Sequence, residues 1–446
     1  MSEASKLTLP KTSEKPPETD ASHASQRLTA RLGKLPELAK NHSQVIVTVA
    51  VSLSIFGLMA IHSILLSRLL GPAGRGEYGT AMFFVQTMTY IGLLGTHYSI
   101  AKFASGKHCP QQMQRSAFRV GVLTGIGCCF ISILLSLIGL PADKQYLLPM
   151  CLICSLLLPA EHLRLTAQAV DHGRGNFGRY NLSRLFAAAV FPILVTILYV
   201  AQHNNLRLVC WLTVIVAIVS YGFYFLISDN RRVFGKSEPS ARKLIYAGLP
   251  DGGLVLANDL FDRLAILLVI WVSSLSDQGL YLTAIPIANL LVVAPFAFEL
   301  FAFRAAADED KRLTVAELVK ASLLIIFVQI IVLAAIQVIL QPLVPILFGA
   351  KFMGVTPVAR ILILAFFFSG FSIVAEGHLR GSGLAKLAIM ARFLSALVMC
   401  LSVFLMPPWE PMYRVAAATV VGHAFNSVLA TWLVYRNISL NRKEAL

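Results

Sequence analysis

The 446 residues are 57% hydrophobic and only 14% charged, where a soluble globular chain carries about 25% charged residues. Lys and Arg number 38 against 23 Asp and Glu, for a formal net charge of +15, and mean hydropathy is +0.71. These values exclude a soluble domain, a disordered chain and a nucleic-acid binder, and the basic excess points to loops beside an anionic membrane surface.

Residues 1–43 are polar, with Pro10, Pro16 and Pro17 among many Ser, Lys and Glu. They read as a disordered cytoplasmic tail, with no apolar core ahead of a small-residue cleavage site. Apolar runs of spanning length then recur near 44–67, 80–104, 116–139, 146–169, 179–201, 206–228, 247–272, 280–303, 317–340, 355–377, 385–406 and 412–435. Across lipid at this length only a helix satisfies its own backbone, because barrel strands would be about 10 residues long and alternating. The expected fold class is therefore an all-α polytopic membrane protein with about twelve transmembrane helices. The expected parts are a first six-helix bundle over 44–230, a cytoplasmic linker over 231–246, a second bundle over 247–436 and a cytoplasmic tail over 437–446.

Loop charges set the orientation. With the N-terminus inside, Lys and Arg near cytoplasmic helix ends outnumber those on the other side by roughly 29 to 7. Both termini are expected in the cytoplasm, which agrees with an even number of spans. Seven cysteines suggest no disulfide framework. Cys151-x-x-Cys154 lies in the apolar stretch Leu147–Leu158, where small buried hydrophobes are expected rather than a redox pair.

The chain repeats itself. Gly76-x-Tyr78-x-Thr80-Ala81 recurs as Gly279-x-Tyr281-x-Thr283-Ala284, and Ala169-x-x-His172-x-Arg174-Gly175 as Ala375-x-x-His378-x-Arg380-Gly381. The offsets are about 203 and about 206, and six spans per half is even, so the halves are expected to be parallel repeats about an axis along the membrane normal. A cleft between them is the natural binding site. Gly121-x-x-x-Gly125 and Gly248-x-x-x-Gly252 are patterns that let helices approach closely.

Leu69-Leu70-Gly71-Pro72-Ala73-Gly74-Arg75-Gly76-Glu77-Tyr78 resembles the first loop of the polysaccharide and O-antigen flippases. Gly248-Leu249-Pro250 with Asp262-Arg263 resembles their seventh helix. Leu347-Phe348-Gly349-Ala350-Lys351-Phe352 and His378-Leu379-Arg380-Gly381 resemble two later connections. The likeness runs over about 44–436 in order and spacing, though Asp251, Asp259 and the tail do not map onto the pattern. These flippases belong to the multidrug, oligosaccharidyl-lipid and polysaccharide exporter superfamily. The resemblance implies two six-helix bundles that move a polyprenyl-pyrophosphate-linked glycan across the inner membrane, among membrane lipids. H+ or Na+ is then the expected coupling ion, other polysaccharide-export proteins are expected contacts, and no cofactor is expected.

Charged residues inside the spans are the candidate site, since a charge at mid-bilayer costs about 2.5–3.5 kcal/mol on insertion scales. Asp259 and Arg263 stand i,i+4 on one helical face and can neutralise each other. Asp262 then lacks a local partner and is a candidate for ion coupling, beside Asp259 itself. Arg164, Arg184, Arg263 and Arg392 are candidates for the pyrophosphate of the implied cargo, because a guanidinium donates bidentately and stays charged. For Arg164, Arg184 and Arg392 the competing reading is anchoring near the cytoplasmic surface, and the repeat sets Arg184 and Arg392 at roughly corresponding positions. Glu299, on a helix bent by Pro286 and Pro295, reads either as a cavity carboxylate or as a helix-end residue near Arg304. His62 reads as a packing residue or as a proton relay.

No P-loop, G-x-S-x-G elbow or H-E-x-x-H occurs in the sequence, so no enzyme is expected. The leading reading is a flippase working by alternating access. A drug or cation antiporter of the same superfamily is the second. A membrane-embedded glycan polymerase or ligase is the third, disfavoured by the short loops.

Overall fold

The structure is a computed structural model that describes the backbone of residues 20–106, 109–228, 233–307 and 315–444. The chain divides into a small unit, 1–53, and a large one, 54–446. In the small unit the described backbone is helical from Asp20, earlier than the residue 44 expected from hydropathy. Hydropathy finds the lipid-facing run and is blind to a polar helix that precedes it.

Among its described residues the large unit is helical, joined by short turns. The first long element, α1 (Asp20–Ile91), is two helices joined at Gly71, whose φ of 70° suits only glycine. Pro72 follows at the start of the second pass, where its missing N–H costs nothing. The second pass turns at Leu94 and Gly95, both at positive φ, and continues as α2 (Thr96–Ala104). Next come α3 (Pro110–Gly139), a 3-10 turn over Ala142–Leu147, and a fourth pass made of α4 (Leu148–Ser155) and α5 (Leu158–Gly173). Then α6 (Phe177–Val200) and α7 (Leu206–Ile227) complete the first half.

The second half opens with α8 (Ala241–Val272), capped by Ser240, whose hydroxyl accepts from Lys243 N. The linker is thus shorter than expected, because the first polar turns of α8 read as loop by hydropathy. An eighth pass follows, in which α9 (Leu275–Ala288) and α10 (Val293–Ala307) are joined by a 3-10 turn lying between Pro286 and Pro295. The last four passes are α11 (Val315–Phe348), α12 (Val355–Gly381), α13 (Ala385–Leu405) and α14 (Pro411–Glu444). The last of these extends through the segment expected as a tail.

Among the described residues, ten segments are long and apolar enough to cross a membrane. One of them, Val47–Ala104, holds the two passes on either side of Gly71. The charged α8 is not among the ten, and with it the count reaches the twelve expected. The chain is a multi-pass membrane protein. Its outward side chains are apolar, as at Ile138, Val338 and Phe404.

The repeat is visible in hydrogen bonds. Tyr78 meets Thr213 at 3.2 Å, and Tyr281 meets Thr419 at 3.3 Å. Each repeat threonine back-bonds to its repeat glycine, Thr80 to Gly76 and Thr283 to Gly279. In each half the second pass lies on the fourth, α2 on α5 and α10 on α12. Each half holds an extensive buried core, around Phe83, Phe84 and Val214 in the first and around Phe261, Leu362 and Met399 in the second, with smaller clusters beside them. Both glycine pairs make close contacts: Gly121 and Gly125 admit the backbone of α5, and Gly248 and Gly252 lie against Leu94 and Gly95.

The halves meet along α8. Near its start, Ser99 donates to Leu244 O at 2.7 Å, and Ser116 of α3 donates to the linker at Pro239 O. Farther along, α8 packs on α13 and α14 of its own half. At the end of the bundles that carries Gly71, Ala142 and Gly349, hereafter the upper end, Gln278 donates to Thr80 Oγ1 at 2.7 Å. Ser67 and Thr283 touch there at 3.4 Å.

Candidate functional site

A charge on a helix that crosses lipid must pair or face polar space, and beyond its first turn α8 carries four, Asp251, Asp259, Asp262 and Arg263. The side chain of Asp251 lies outside the described residues. Asp259 and Arg263 form the expected i,i+4 pair, Oδ2 to Nε at 3.6 Å. Arg263 also reaches the other half, where its Nη1 donates to Gln86 Oε1 on α1 at 2.8 Å. One guanidinium therefore joins both halves near the middle of the seam. Asp262 is exposed and makes no ion pair among the described residues. It lies within electrostatic range of Arg392, Asp259, Arg263 and Glu376.

In the first half, α5 presents Glu161 and Arg164 one turn apart. Arg164 Nε donates to Glu161 Oε2 at 2.9 Å, its Nη2 donates to Oε1, and its Nη1 donates to Gln168 Oε1 at 3.1 Å. Tyr90, at the end of α1, lies within electrostatic range of Glu161, Arg164, Asp259 and Arg263. Tyr90 as a residue is 48% exposed. Two ion pairs, one from each half, thus flank one open phenol. Arg184 on α6 stands over the Tyr180 ring, 5.1 Å from its centre, and makes no ion pair among the described residues. Tyr180 in turn lies within electrostatic range of Arg164. Arg164, Arg184 and Arg263 are thereby linked through two tyrosines.

Arg392 is placed differently. It is 5% exposed and paired with Glu376, itself 4% exposed. Nη2 donates to Oε2 at 3.1 Å, and Nε stands 2.7 Å from Oε1 as an ion-pair contact. Asn426 Nδ2 donates to the same Oε1 at 2.9 Å, and the guanidinium also lies 5.4 Å from the Phe261 ring centre. The rough correspondence between Arg184 and Arg392 does not hold. The register set by His172 with His378 and by Thr213 with Thr419 aligns Arg392 with Phe186, which stacks on Phe223 at 3.9 Å. Arg184 aligns with Met390, two residues away and so on roughly the opposite helical face. The buried Glu376–Arg392–Asn426 group therefore belongs to the second half alone.

Glu299 pairs with Arg380 of the repeated His378-x-Arg380-Gly381 motif and packs against Gly377. The Arg304 side chain lies outside the described residues. His62 lays its ring on Phe191 at 4.5 Å. Gln86, Tyr90, Tyr180, Glu376 and Asn426 were not singled out in the sequence. Glu161 had a legible signal, its i,i+3 spacing to Arg164. Glu376 stands alone in an apolar run beside the second repeat motif, and its partners lie far along the chain.

Comparison with known proteins agrees with this architecture. The model of a family described as polysaccharide biosynthesis protein matches residues 65–357. The chain belongs to that family. Several solved structures share its fold, among them two MOP superfamily transporters and a flippase. A multidrug-resistance MATE family transporter of the MOP superfamily, in an inward-facing conformation, superposes with a TM-score of 0.67 at 13% identity, covering 88% of this chain and 96% of that one. The lipid II flippase MurJ, in an inward closed conformation, gives 0.70 at 13%, covering 87% of each. A MOP superfamily transporter from Pyrococcus furiosus gives 0.59 at 14%, covering 88% and 95%. No curated protein matches the sequence. The chain thus has the two-lobed, pseudo-repeated fold of MOP superfamily transporters.

Proposed function

We propose that the chain is a flippase that carries polyprenyl-pyrophosphate-linked oligosaccharide or exopolysaccharide units across the inner membrane by alternating access, with both termini in the cytoplasm. The supporting observation is the set Arg164, Arg184 and Arg263 linked through Tyr90 and Tyr180, with Arg263 and Tyr90 where the halves meet. Planar guanidiniums suit pyrophosphate because each presents a two-pronged donor. Glu161 and Asp259 neutralise two of the three. That lowers the cost of holding them in a low-dielectric seam, and an incoming pyrophosphate competes with the carboxylates for the same donors. The glycan would follow the seam while the polyprenyl tail stays in lipid. Asp262, a carboxylate without an ion pair, is the group in this reading that would take H+ or Na+. Glu376 holds Arg392 too fully for it to serve as a primary cargo ligand.

The test is glycan export by point variants at normal protein level. Arg184→Ala strands no acidic partner among the described residues, so its effect reports on cargo. Surface polysaccharide should fall sharply in Arg184→Ala and Arg263→Ala and recover in part with lysine, which keeps the charge but loses the fork. Full export by the Arg184→Ala, Arg263→Ala double variant would overturn the site.

Asp262, without an ion pair among the described residues, favours a second reading, an antiporter for cationic drugs. Its cargo would sit on a carboxylate rather than on arginines.

A further inference from the structure

Arg68 and Lys144 are two of the few basic residues on the sparsely charged side of the bundles. The structure gives both a specific use. Lys144, on the 3-10 turn between the third and fourth passes, is 2% exposed. Its Nζ donates to Ser273 O at 2.8 Å and also to Ile270 O. Those are carbonyls at the C-terminal end of α8, in the other half. Arg68, at the end of the first pass, donates Nε to Leu347 O at 2.6 Å and Nη2 to Ile346 O. Those close the C-terminal end of α11, again in the other half.

A helix ends with carbonyls that lack intrahelical donors and with a partial negative charge. Capping that end by a cation is ordinary within a helix. Here both caps cross from the first half to the second, at one end of the bundles. Between them lie the Gly76–Gly279 contact, the Gln278 to Thr80 hydrogen bond and the Ser67–Thr283 contact. The capped α8 is also the helix that carries Asp259, Asp262 and Arg263, so one cap links the seam charges to the upper end.

We infer that Arg68 and Lys144 form a two-point latch that holds the upper end of the halves shut, and that opening to the outside breaks both caps. This rests on the transporter reading and on its orientation, which sets the upper end outside. The bonding fits a latch that opens. The Lys144 ammonium, buried and bonded to two carbonyls with the Asp143 carboxylate in electrostatic range, has given up most of its hydration. Opening returns that hydration as the hydrogen bonds are lost, so the closed state is favoured by a small margin.

Ser67→Cys, in the full chain with its native cysteines replaced, supplies a reporter inside the seam. In intact cells a membrane-impermeant maleimide should label it slowly. Arg68→Met or Lys144→Met should raise the rate about tenfold, since a hydrogen bond from a charged donor is a modest net contribution. Arg68→Lys should keep most of the protection. Unchanged labelling in both Met variants would overturn the latch, as would labelling that occurs only from the cytoplasmic face in inverted vesicles. Arg68 is exposed, so Arg68→Met carries the test if Lys144→Met does not fold; gel filtration in detergent checks each. Labelling needs no cargo, which separates the two ideas. Faster labelling with no glycan transport by the parent leaves the latch and removes the flippase. Unchanged labelling with intact glycan transport removes the latch alone.

Discussion

Gly76 and Gly279 occupy the same place in the two repeats and meet each other at the upper end of the seam. A Cβ on Gly76 would run into the carbonyl of Leu275, and one on Gly279 into that of Pro72. Backbone cannot step aside as a side-chain tip can, so neither position has room for a methyl group. Gly76→Ala and Gly279→Ala should each cost about 1–3 kcal/mol by overpacking, read as a lower unfolding temperature in detergent. Gly127→Ala and Gly178→Ala, whose new Cβ would meet nothing within 4 Å, should leave that temperature unchanged or slightly raised.

The buried pair in the second half gives a sharper stability test. Arg392→Met strands Glu376, and Glu376→Leu strands Arg392, each at about 3–5 kcal/mol, because one uncompensated buried charge remains. Replacing both at once, as Glu376→Leu with Arg392→Met, should cost less than the sum of the two. Thermal unfolding of the four proteins in a double-mutant cycle measures the coupling. Additive costs would show that the pair does not act as a unit.

Exchanging Asp259 and Arg263 separates charge balance from position. If the pair only neutralised itself, Asp259→Arg with Arg263→Asp would keep export. The Gln86 hydrogen bond comes from position 263 specifically, and the exchange moves the guanidinium one turn down α8. The double variant should accumulate normally and fail to export glycan, measured as surface polysaccharide against membrane protein level.

Orientation is checked directly. Reporter fusions at residue 40 and at residue 440 should both signal cytoplasm, from the loop charge bias. An external signal from either would reverse the reading of the upper end as outside.

The fold was legible because lipid forces helices and because the repeat survives in short motifs. Gly76 and Gly279 announced themselves by position, and they turned out to touch. The Asp259–Arg263 and Glu161–Arg164 pairs are local, so i,i+4 and i,i+3 spacing reveals them. Glu376 with Arg392 and Asn426 is not local, and no spacing rule joins three helices. Arg68 and Lys144 were invisible as caps because their partners are carbonyls, which every residue carries. The match drawn between Arg184 and Arg392 failed by two residues, enough to turn a side chain to the opposite face.

The most direct test of the central claim uses the purified chain in liposomes that contain a labelled polyprenyl-pyrophosphate-linked oligosaccharide on one leaflet. The account predicts that the glycan reaches the other leaflet, where an added glycosidase cleaves it, and that the Arg184→Ala, Arg263→Ala double variant abolishes the transfer. Glycan that stays as protected as in protein-free liposomes, in vesicles where the same chain exchanges a cationic dye for H+ or Na+, would contradict it and establish the antiporter.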